Sequence, residues 1–191
     1  VIDVSLEVAK GETFVVMGLS GSGKSTLIRM INGLWAPSEG TVEVAGKVVS
    51  DMNDSQLREL RRDHVSMVFQ HFALLPHLTV RENAAYGLKL QGKLKPKDRL
   101  EKANEWLHTV GLKGWGDKYP HQLSGGMQQR VGLARALAAE TDILLMDEAF
   151  SALDPLIRRE MQDQLLELQS TLNKTIIFIT HDLNEAMYLG D

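Results

Sequence analysis

The stretch TFVVMGLSGSGKST, residues 13–26, decides the fold that we expect for this chain. Its first five residues are mostly apolar and predict a short strand, and residues 27–34 have the periodicity of a helix. The glycine-rich segment 18–26 fits the pattern G-x-x-x-x-G-K-[ST] in this strand-then-helix context. Backbone N–H groups of such a loop converge on phosphate oxygens, and the helix dipole adds to the attraction. The stretch therefore predicts a phosphate-binding loop; a glycine-rich turn without a ligand is the alternative.

The side chains of this loop indicate a nucleoside triphosphate as the ligand. Gly21 and Gly23 let the backbone approach phosphate closely, because they carry no side chain. Lys24 would reach the β and γ phosphates, and the Ser25 hydroxyl would ligate Mg²⁺. The candidate nucleotide-binding residues are Gly18, Leu19, Ser20, Gly21, Ser22, Gly23, Lys24, Ser25 and Thr26.

A second stretch, ILLMDE at residues 143–148, supplies the acidic groups that such a site needs. Its four apolar residues predict a buried strand, and Asp147 at the carboxyl end of that strand can hold Mg²⁺. Glu148 follows directly and could orient or deprotonate a water molecule. An acidic pair at a strand end can also be the solvated start of a loop, so the phosphate-binding loop is what favours the functional interpretation.

Strands and helices alternate along most of the chain. We expect strands at residues 1–8, 13–17, 65–69, 143–146 and 175–180, a hairpin at 41–49, and an amphipathic helix at 155–172. Residues 71–118 instead contain helical segments and loops, with Pro96 opening a helix over about residues 97–110. Alternating strands and helices indicate an α/β fold with a mostly parallel sheet covered on both faces.

The composition excludes several classes of protein. The 191 residues are 43% hydrophobic and 24% charged, with a formal net charge of −4, so the surface as a whole is not that of a nucleic-acid-binding protein. Cysteine is absent, which excludes disulfides and thiolate metal sites. The N-terminal residues do not form a signal peptide, and no apolar run reaches the roughly 20 residues that span a bilayer.

The segment LSGGMQQR, residues 123–130, places two glycines at the start of a second helical pattern. Ser124 is suited to cap this helix, and Gly125 and Gly126 would leave its first N–H groups exposed. The segment thus predicts a second anion-binding helix terminus. The alternative is a capped helix whose glycines only allow close packing.

Taken together, the motifs resemble those of the ATPase subunit of an ABC transporter, in the same order and over nearly the whole chain. They are GLSGSGKST at 18–26, Gln70 after an apolar strand, LSGGM at 123–127, ILLMDE at 143–148, SALD at 151–154 and His181 after a strand. The resemblance implies a P-loop NTPase core with a mostly parallel sheet, an N-terminal antiparallel β part and a helical subdomain insertion. The core would comprise residues 1–70 and 129–191, and the insertion residues 71–128.

The resemblance also implies a role for each matching residue. Gln70 resembles the glutamine that contacts Mg²⁺ or the attacking water, Asp147 the magnesium ligand, Glu148 the catalytic base and His181 the γ-phosphate switch. Asp154 resembles an aspartate at the seam between two subunits, although it could equally be only the N-cap of the helix that begins at Pro155.

In that family two subunits face head to tail, so the resemblance implies a homodimer with two shared sites for ATP and Mg²⁺. Ser124, Gly125 and Gly126 of one subunit would close over the γ phosphate that the loop of the other holds. Other expected partners are transmembrane permease subunits and, indirectly, an extracytoplasmic solute-binding protein, but no nucleic acid. The expected location is peripheral, on the cytoplasmic face of a bacterial inner membrane.

Three features depart from the general pattern of the family. Met127 stands where glutamine is common, which removes a capping-box hydrogen bond with Ser124. Residues 1–12 contain no aromatic residue to stack on adenine. The resemblance further implies that the chain is a piece of a longer subunit, truncated at both ends.

The pattern LMDEAFSALDPLIRREMQDQLLELQ, residues 145–169, resembles the ATPase of glycine betaine/proline (quaternary-amine) importers. The apolar and aromatic segment 69–88 could dock on a permease, or it could be a core helix with its loop. Alternatives to this function are an importer for another small solute, a non-transport ABC ATPase of DNA repair or translation, and a nucleotide-binding regulator that does not hydrolyse ATP.

Overall fold

The computed structural model describes residues 2–151 and 153–190. The strands are β1 (Thr13–Met17), β2 (Glu43–Val44), β3 (Lys47–Val48), β4 (Val65–Val68), β5 (Ile143–Asp147) and β6 (Thr175–Thr180). The helices are α1 (Lys24–Ile31), α2 (Asp54–Asp63), α3 (Val80–Ala84), α4 (Tyr86–Gln91), α5 (Pro96–Thr109), α6 (Gly125–Ala138), α7 (Pro155–Leu172) and α8 (Leu183–Leu189). No helix within the described residues is both long and apolar enough to span a lipid bilayer.

Four strands form one parallel sheet in the order β1-β6-β5-β4, and β2 and β3 form a separate antiparallel hairpin. Met17 is the register partner of Thr180, and Asp147 that of Ile179. The carboxyl ends of all four parallel strands therefore lie at one edge of the sheet. The predicted α/β class, with a mostly parallel sheet and a short hairpin, is confirmed.

The sheet is covered on both faces, and the alternation of side chains along β5 shows how. Leu144 and Met146 belong to a core that includes α5, α6 and α7, whereas Leu145 belongs to a core formed with α1 and α2. Successive side chains of a strand point to opposite faces, so a continuous apolar run is what a doubly covered strand requires. In the larger core the rings of Phe150 and Phe178 lie 5.6 Å apart between centroids.

The middle of the chain is helical, as predicted. Thr79 caps α3 in a capping box with Glu82, Pro96 is the first residue of α5, and Gly92 ends α4 in the left-handed conformation. The predicted boundary of the insertion, between residues 128 and 129, falls inside α6, and α6 packs in the same core as the sheet. The division into a core and a subdomain therefore stays a prediction.

Several predicted elements are wrong in detail. Residues 2–8 do not form a strand: their side chains are exposed up to residue 7, and no neighbouring strand offers hydrogen bonds to them (Val1 lies outside the described residues). Helix α1 begins at Lys24 rather than Leu27, because the glycine-rich loop ends in its first turn. Val49 lies in a short 3-10 turn instead of the hairpin, and Phe69 lies just outside β4.

Helices α2 and α8 were not predicted from the pattern, although both carry start signals. Asn53 and Gln56 form a capping box before α2, and Asp182 accepts hydrogen bonds from the N–H groups of Asn184 and Glu185 at the start of α8. Helix α2 is largely polar, with one buried residue, Leu60, so it offers few apolar residues from which a helix can be recognised.

The capping box of α3 gives a prediction for the dependence of stability on pH. The backbone N–H and hydroxyl of Thr79 donate to the Glu82 carboxylate, and these bonds lower the pKa of Glu82. We expect Glu82→Ala to lower the free energy of unfolding at pH 7 by about 1 kcal/mol. Because the pKa is lower in the folded state, this difference is present above the unfolded pKa of about 4.3 and disappears as the pH falls through the folded value.

Urea unfolding of the parent and the variant, at pH 7 and near pH 3, measures this difference. Glu101→Ala is the control, because Glu101 is exposed and makes only a 3.8 Å pair with Lys97 on the same helix. A difference between parent and Glu82→Ala that stayed the same at both pH values would contradict the assignment.

Candidate active site

The loop between β1 and α1 has the conformation of an anion-binding loop. Gly21 and Gly23 have φ values of 81° and 93°, in the left-handed region that residues with side chains rarely adopt. Gly23 is the N-cap of α1 and provides no side-chain cap, so the N–H groups of the first turn stay available for a ligand. Residues 19–22 are exposed, which leaves the loop open to solvent. The geometry suits a phosphate group bound from outside.

Lys24 points into this loop rather than into solvent. The residue is 7% exposed, and its ammonium group donates to the carbonyl oxygens of Gly18 and Leu19 at 2.8 and 2.9 Å. The same nitrogen lies 3.7 Å from Oε1 of Glu148. A cation held at this place would pair with phosphate oxygens that enter the loop.

Ser25 and Asp147 form a hydrogen-bonded pair beside the loop. The Ser25 hydroxyl donates to Oδ1 of Asp147 at 2.8 Å, and Asp147 is 4% exposed at the end of β5. Within residues 2–151 and 153–190 no three His, Asp or Glu side chains are arranged to hold a metal ion by themselves. A hydroxyl and one carboxylate next to a phosphate-binding loop are nevertheless the oxygen donors that fit Mg²⁺, which completes its shell with phosphate and water.

Glu148 lies where three strand ends meet. Its φ of 47° is left-handed, which is rare for a residue with a side chain and is typical of functional positions. Oε2 of its carboxylate accepts a hydrogen bond from Nε2 of Gln70 at 3.1 Å and lies 3.4 Å from Nδ1 of His181. With Lys24 of α1 near Oε1, this carboxylate contacts groups from the segments that follow β1, β4 and β6.

The turn that carries His181 is fixed by residues that the sequence did not single out. Oγ1 of Thr180 donates to the Glu185 carboxylate at 2.5 Å and accepts from the N–H of Asp182 at 3.0 Å. Glu185 is 5% exposed and also accepts from Gln162 of α7 at 3.0 Å. This network holds the backbone of His181 while its imidazole stays about half exposed.

Arg158 links the same turn to the loop after Glu148. Its guanidinium pairs with Asp182 at 3.4 Å and donates to the carbonyl of Leu153 at 3.1 Å. An arginine on an amphipathic helix gives no sequence signal of such a contact, whereas Asp182 could have been recognised as the N-cap of α8.

The second predicted anion-binding helix terminus, at residues 124–126, has the expected local structure. The Ser124 hydroxyl accepts from the N–H of Met127 at 3.3 Å at the start of α6. A Cβ at Gly126 would lie 3.5 Å from its nearest neighbour and one at Gly125 3.8 Å, which are ordinary contacts. Packing within the chain therefore does not require glycine at either position, and the close-packing alternative loses its support.

Asp154 caps α7, with its carboxylate accepting from the N–H of Ile157 at 3.1 Å and Pro155 as the first helical residue. The cap is confirmed, and the seam role stays a prediction. Ala152, in the quoted motif SALD, lies outside the described residues. Within the described part of the chain, residues 124–126 and Asp154 make no hydrogen bond to the phosphate-binding loop or to Glu148.

The other predicted site residues fall into one place. Residues 18–26, Gln70, Asp147, Glu148 and His181 all lie at the carboxyl edge of the sheet, where α/β proteins bind their ligands. The edge offers a phosphate-binding loop, a cation, an Mg²⁺-compatible pair and a carboxylate that can orient water. These features define a phosphate-loop α/β protein built for a nucleoside triphosphate.

Comparison with known proteins identifies the family. Residues 1–151 match the family model described as ABC transporter, and the chain belongs to that family. It is 62% identical over 185 residues to the glycine betaine transport ATP-binding protein OpuAA of Bacillus subtilis (strain 168). This alignment covers 97% of this chain and 44% of that protein. It is 57% identical over 189 residues to the glycine betaine/proline betaine transport system ATP-binding protein ProV of Escherichia coli (strain K12), with coverage of 99% and 47%.

The chain thus spans about half the length of the curated relatives it matches. Among solved structures, it is similar to a dimeric post-hydrolysis state of the ATP-binding cassette MJ0796 bound to ADP and Pi. The TM-score is 0.91 and the identity 38%, with 97% of this chain and 82% of the other covered. The P-loop core predicted from the sequence is therefore confirmed as the fold.

Proposed function

We propose that the chain is the ATP-hydrolysing part of an ABC importer and that residues 18–26 bind the phosphates of ATP. One observation above all supports this function: the Glu148 carboxylate lies within 4 Å of Lys24, Gln70 and His181 at the mouth of the loop. Hydrolysis needs a cation for the phosphates and a base for water, and both are present here.

Ser25, Asp147 and Gln70 would hold Mg²⁺. When bound, the ion would neutralise charge on the β and γ phosphates. The pair formed by Ser25 and Asp147 supports this assignment, because both oxygens already face each other beside the loop. Gln70 would serve through its side-chain oxygen, since its Nε2 is the atom that donates to Glu148.

Glu148 would orient and deprotonate the attacking water, and His181 would contact the γ phosphate. The carboxylate is only 14% exposed and is held by an amide and an imidazole, so its position is fixed before substrate arrives. The exposed part of the imidazole leaves His181 free to meet a phosphate oxygen.

Two copies of the chain would form the complete site. Ser124, Gly125 and Gly126 of one copy would bind the γ phosphate held by the other, with Asp154 at the seam. Two observations support this arrangement: packing within one chain does not require these glycines, and two similar solved structures of the cassette MJ0796 are described as dimeric. Each ATP would then be shared between two chains.

Import of glycine betaine, proline or related quaternary amines is the transport function that we favour. It is supported by the relatives OpuAA and ProV, whose names state betaine transport. The solute would pass through separate permease subunits, supplied by a solute-binding protein, with this chain peripheral on the cytoplasmic face. An importer of another small solute is the alternative.

Residues 69–88 are the surface that we propose for the permease. Val80, Ala84, Ala85 and Leu88 are buried in the core, so the core interpretation holds for the helices. A groove of about 460 Å³ borders the segment at Arg81 and is otherwise lined by residues of α5 and the following loop, so a partner that enters this groove would contact those residues as well.

Removing the charge of Glu148 tests the assignment of the base. We expect Glu148→Gln to lower kcat for ATP hydrolysis on the order of 100-fold or more while ATP-bound dimers accumulate. Phosphate release and size-exclusion chromatography with ATP measure the two effects. Glu140→Gln is a matched control, because Glu140 is also a left-handed glutamate but lies before β5, at the opposite edge of the sheet. Hydrolysis at the parent rate in Glu148→Gln would exclude Glu148 as the base.

A bulky cation at Ser124 tests the shared site. We expect Ser124→Arg to abolish hydrolysis, because it blocks the helix terminus that meets the partner's γ phosphate, yet to change ATP affinity less than about threefold. Equilibrium binding of a fluorescent ATP analogue and phosphate release report the two quantities. Ser170→Arg, an exposed position near the end of α7, controls for the added charge. If Ser124→Arg lost binding and hydrolysis together, the cross-chain site would be wrong.

The transported solute is tested with the longer subunit purified together with its permease and supplied with the solute-binding protein. We expect glycine betaine and proline to stimulate ATP hydrolysis, because solute delivery is coupled to closure of the ATPase dimer. Methionine is the negative control. Stimulation by a solute of another class, with none by quaternary amines, would favour the alternative importer.

A further inference from the structure

The turn that follows Gln70 has an uncommon backbone. Phe72 and Ala73 have φ values of 59° and 47°, and among the described residues they are the only adjacent non-glycine pair in the left-handed region. Such a conformation is costly for residues with side chains and persists only where neighbouring groups hold it. Some other part of the molecule must therefore stabilise this turn.

Arg135 of α6 is that part. Its guanidinium donates to the carbonyl of Ala73 at 2.6 Å and to that of Phe72 at 2.9 Å. Within the described residues Arg135 has no carboxylate in ion-pair range, and burial lowers its pKa from the ordinary value. A cation taken partly out of water without a counter-ion needs good hydrogen-bond acceptors. For Arg135 these acceptors are the two carbonyls of the left-handed turn.

Helix α6 lies close to the same turn at two further points. A Cβ at Gly125 would lie 3.8 Å from the Phe72 ring, and one at Gly132 would lie 3.7 Å from the Phe72 carbonyl oxygen. The turn thus lies along the helix that Ser124 caps. Immediately before the turn, Gln70 donates to the Glu148 carboxylate.

We propose that Arg135 is a positioning residue: it holds the left-handed turn at 72–73 so that the amide of Gln70 stays at the Glu148 carboxylate. Arg135 itself touches neither Glu148 nor the phosphate-binding loop and acts only through the turn. It also fixes Gln70 to the helix whose N-terminus carries Ser124–Gly126, so that Gln70 and this proposed anion-binding terminus are linked through one helix. This role rests on the proposed ATP hydrolysis, in which Gln70 and Glu148 take part.

Two substitutions separate positioning from folding. We expect Arg135→Met to lower kcat for ATP hydrolysis about tenfold while KM changes less than about twofold, because the phosphate-binding loop is untouched and only Gln70 is displaced. Arg135→Lys should recover most of the lost kcat, since an ammonium group still donates to a carbonyl. Arg130→Met is the matched control: Arg130 is also on α6, but it donates to Val110 and Glu160 and not to the turn. It should lower thermal stability and leave kcat unchanged.

A second measurement does not depend on hydrolysis. The N–H groups of Phe72 and Ala73 donate to the carbonyls of Phe69 and His71. In the nucleotide-free chain, we expect these two amides to exchange with deuterium about tenfold faster in Arg135→Met and at the parent rate in Arg130→Met. If the parent chain does not hydrolyse ATP, the proposed function fails, and the exchange rates still decide whether Arg135 holds the turn.

Lower kcat together with faster exchange, both specific to Arg135→Met, supports the proposal. Unchanged exchange in a folded Arg135→Met chain would overturn it, whatever the effect on kcat, because Arg135 would not act through the turn. Faster exchange with parent kcat would also overturn it, because Gln70 would then not depend on the turn. Equal losses in Arg130→Met would show a general effect on α6 instead.

Discussion

The contacts of one carboxylate, that of Glu148, are the interactions on which the site depends. They require that β1, β4, β5 and β6 end at the same edge, because Lys24, Gln70 and His181 come from regions that are far apart in sequence. A parallel sheet brings the carboxyl ends of neighbouring strands to the same edge. The left-handed conformation of Glu148 then turns its side chain toward these partners, directly after the buried strand β5. Strand register and a strained residue together set the geometry of the site.

The surroundings of this carboxylate are built to keep its partners in place. The His181 turn is held by Thr180 and Glu185, whose side chains are buried together. The turn after Gln70 lies along α6 and is held by Arg135. Glu185 is itself held by Gln162 of α7, and Arg135 reaches the turn across 62 residues of sequence. The geometry of this edge therefore depends on helices packed against the sheet and not only on the loops that carry the candidate functional groups.

Much of this architecture can be predicted from the sequence, for identifiable reasons. Strands β1, β5 and β6 are short apolar runs between clear boundaries, and α7 begins at Asp154-Pro155 with a complete N-cap signal. The site residues at the sheet edge follow from motifs next to those strands. What could not be predicted depends on tertiary partners. Residues 2–8 alternate like a strand, but no neighbouring strand pairs with them. Arg135 contacts Ala73 across 62 residues of sequence. Helix α2 could not be recognised because only two of its ten residues, Leu57 and Leu60, are apolar.

A structure of the chain with Mg²⁺ and a non-hydrolysable ATP analogue is the most direct test of the role given to Glu148. We expect the terminal phosphoryl group to contact Lys24, with a water molecule between it and the Glu148 carboxylate, and residues 124–126 of a second copy on its other side. The account would be contradicted by a terminal phosphoryl group bound away from Glu148, with residues 124–126 of both copies facing solvent.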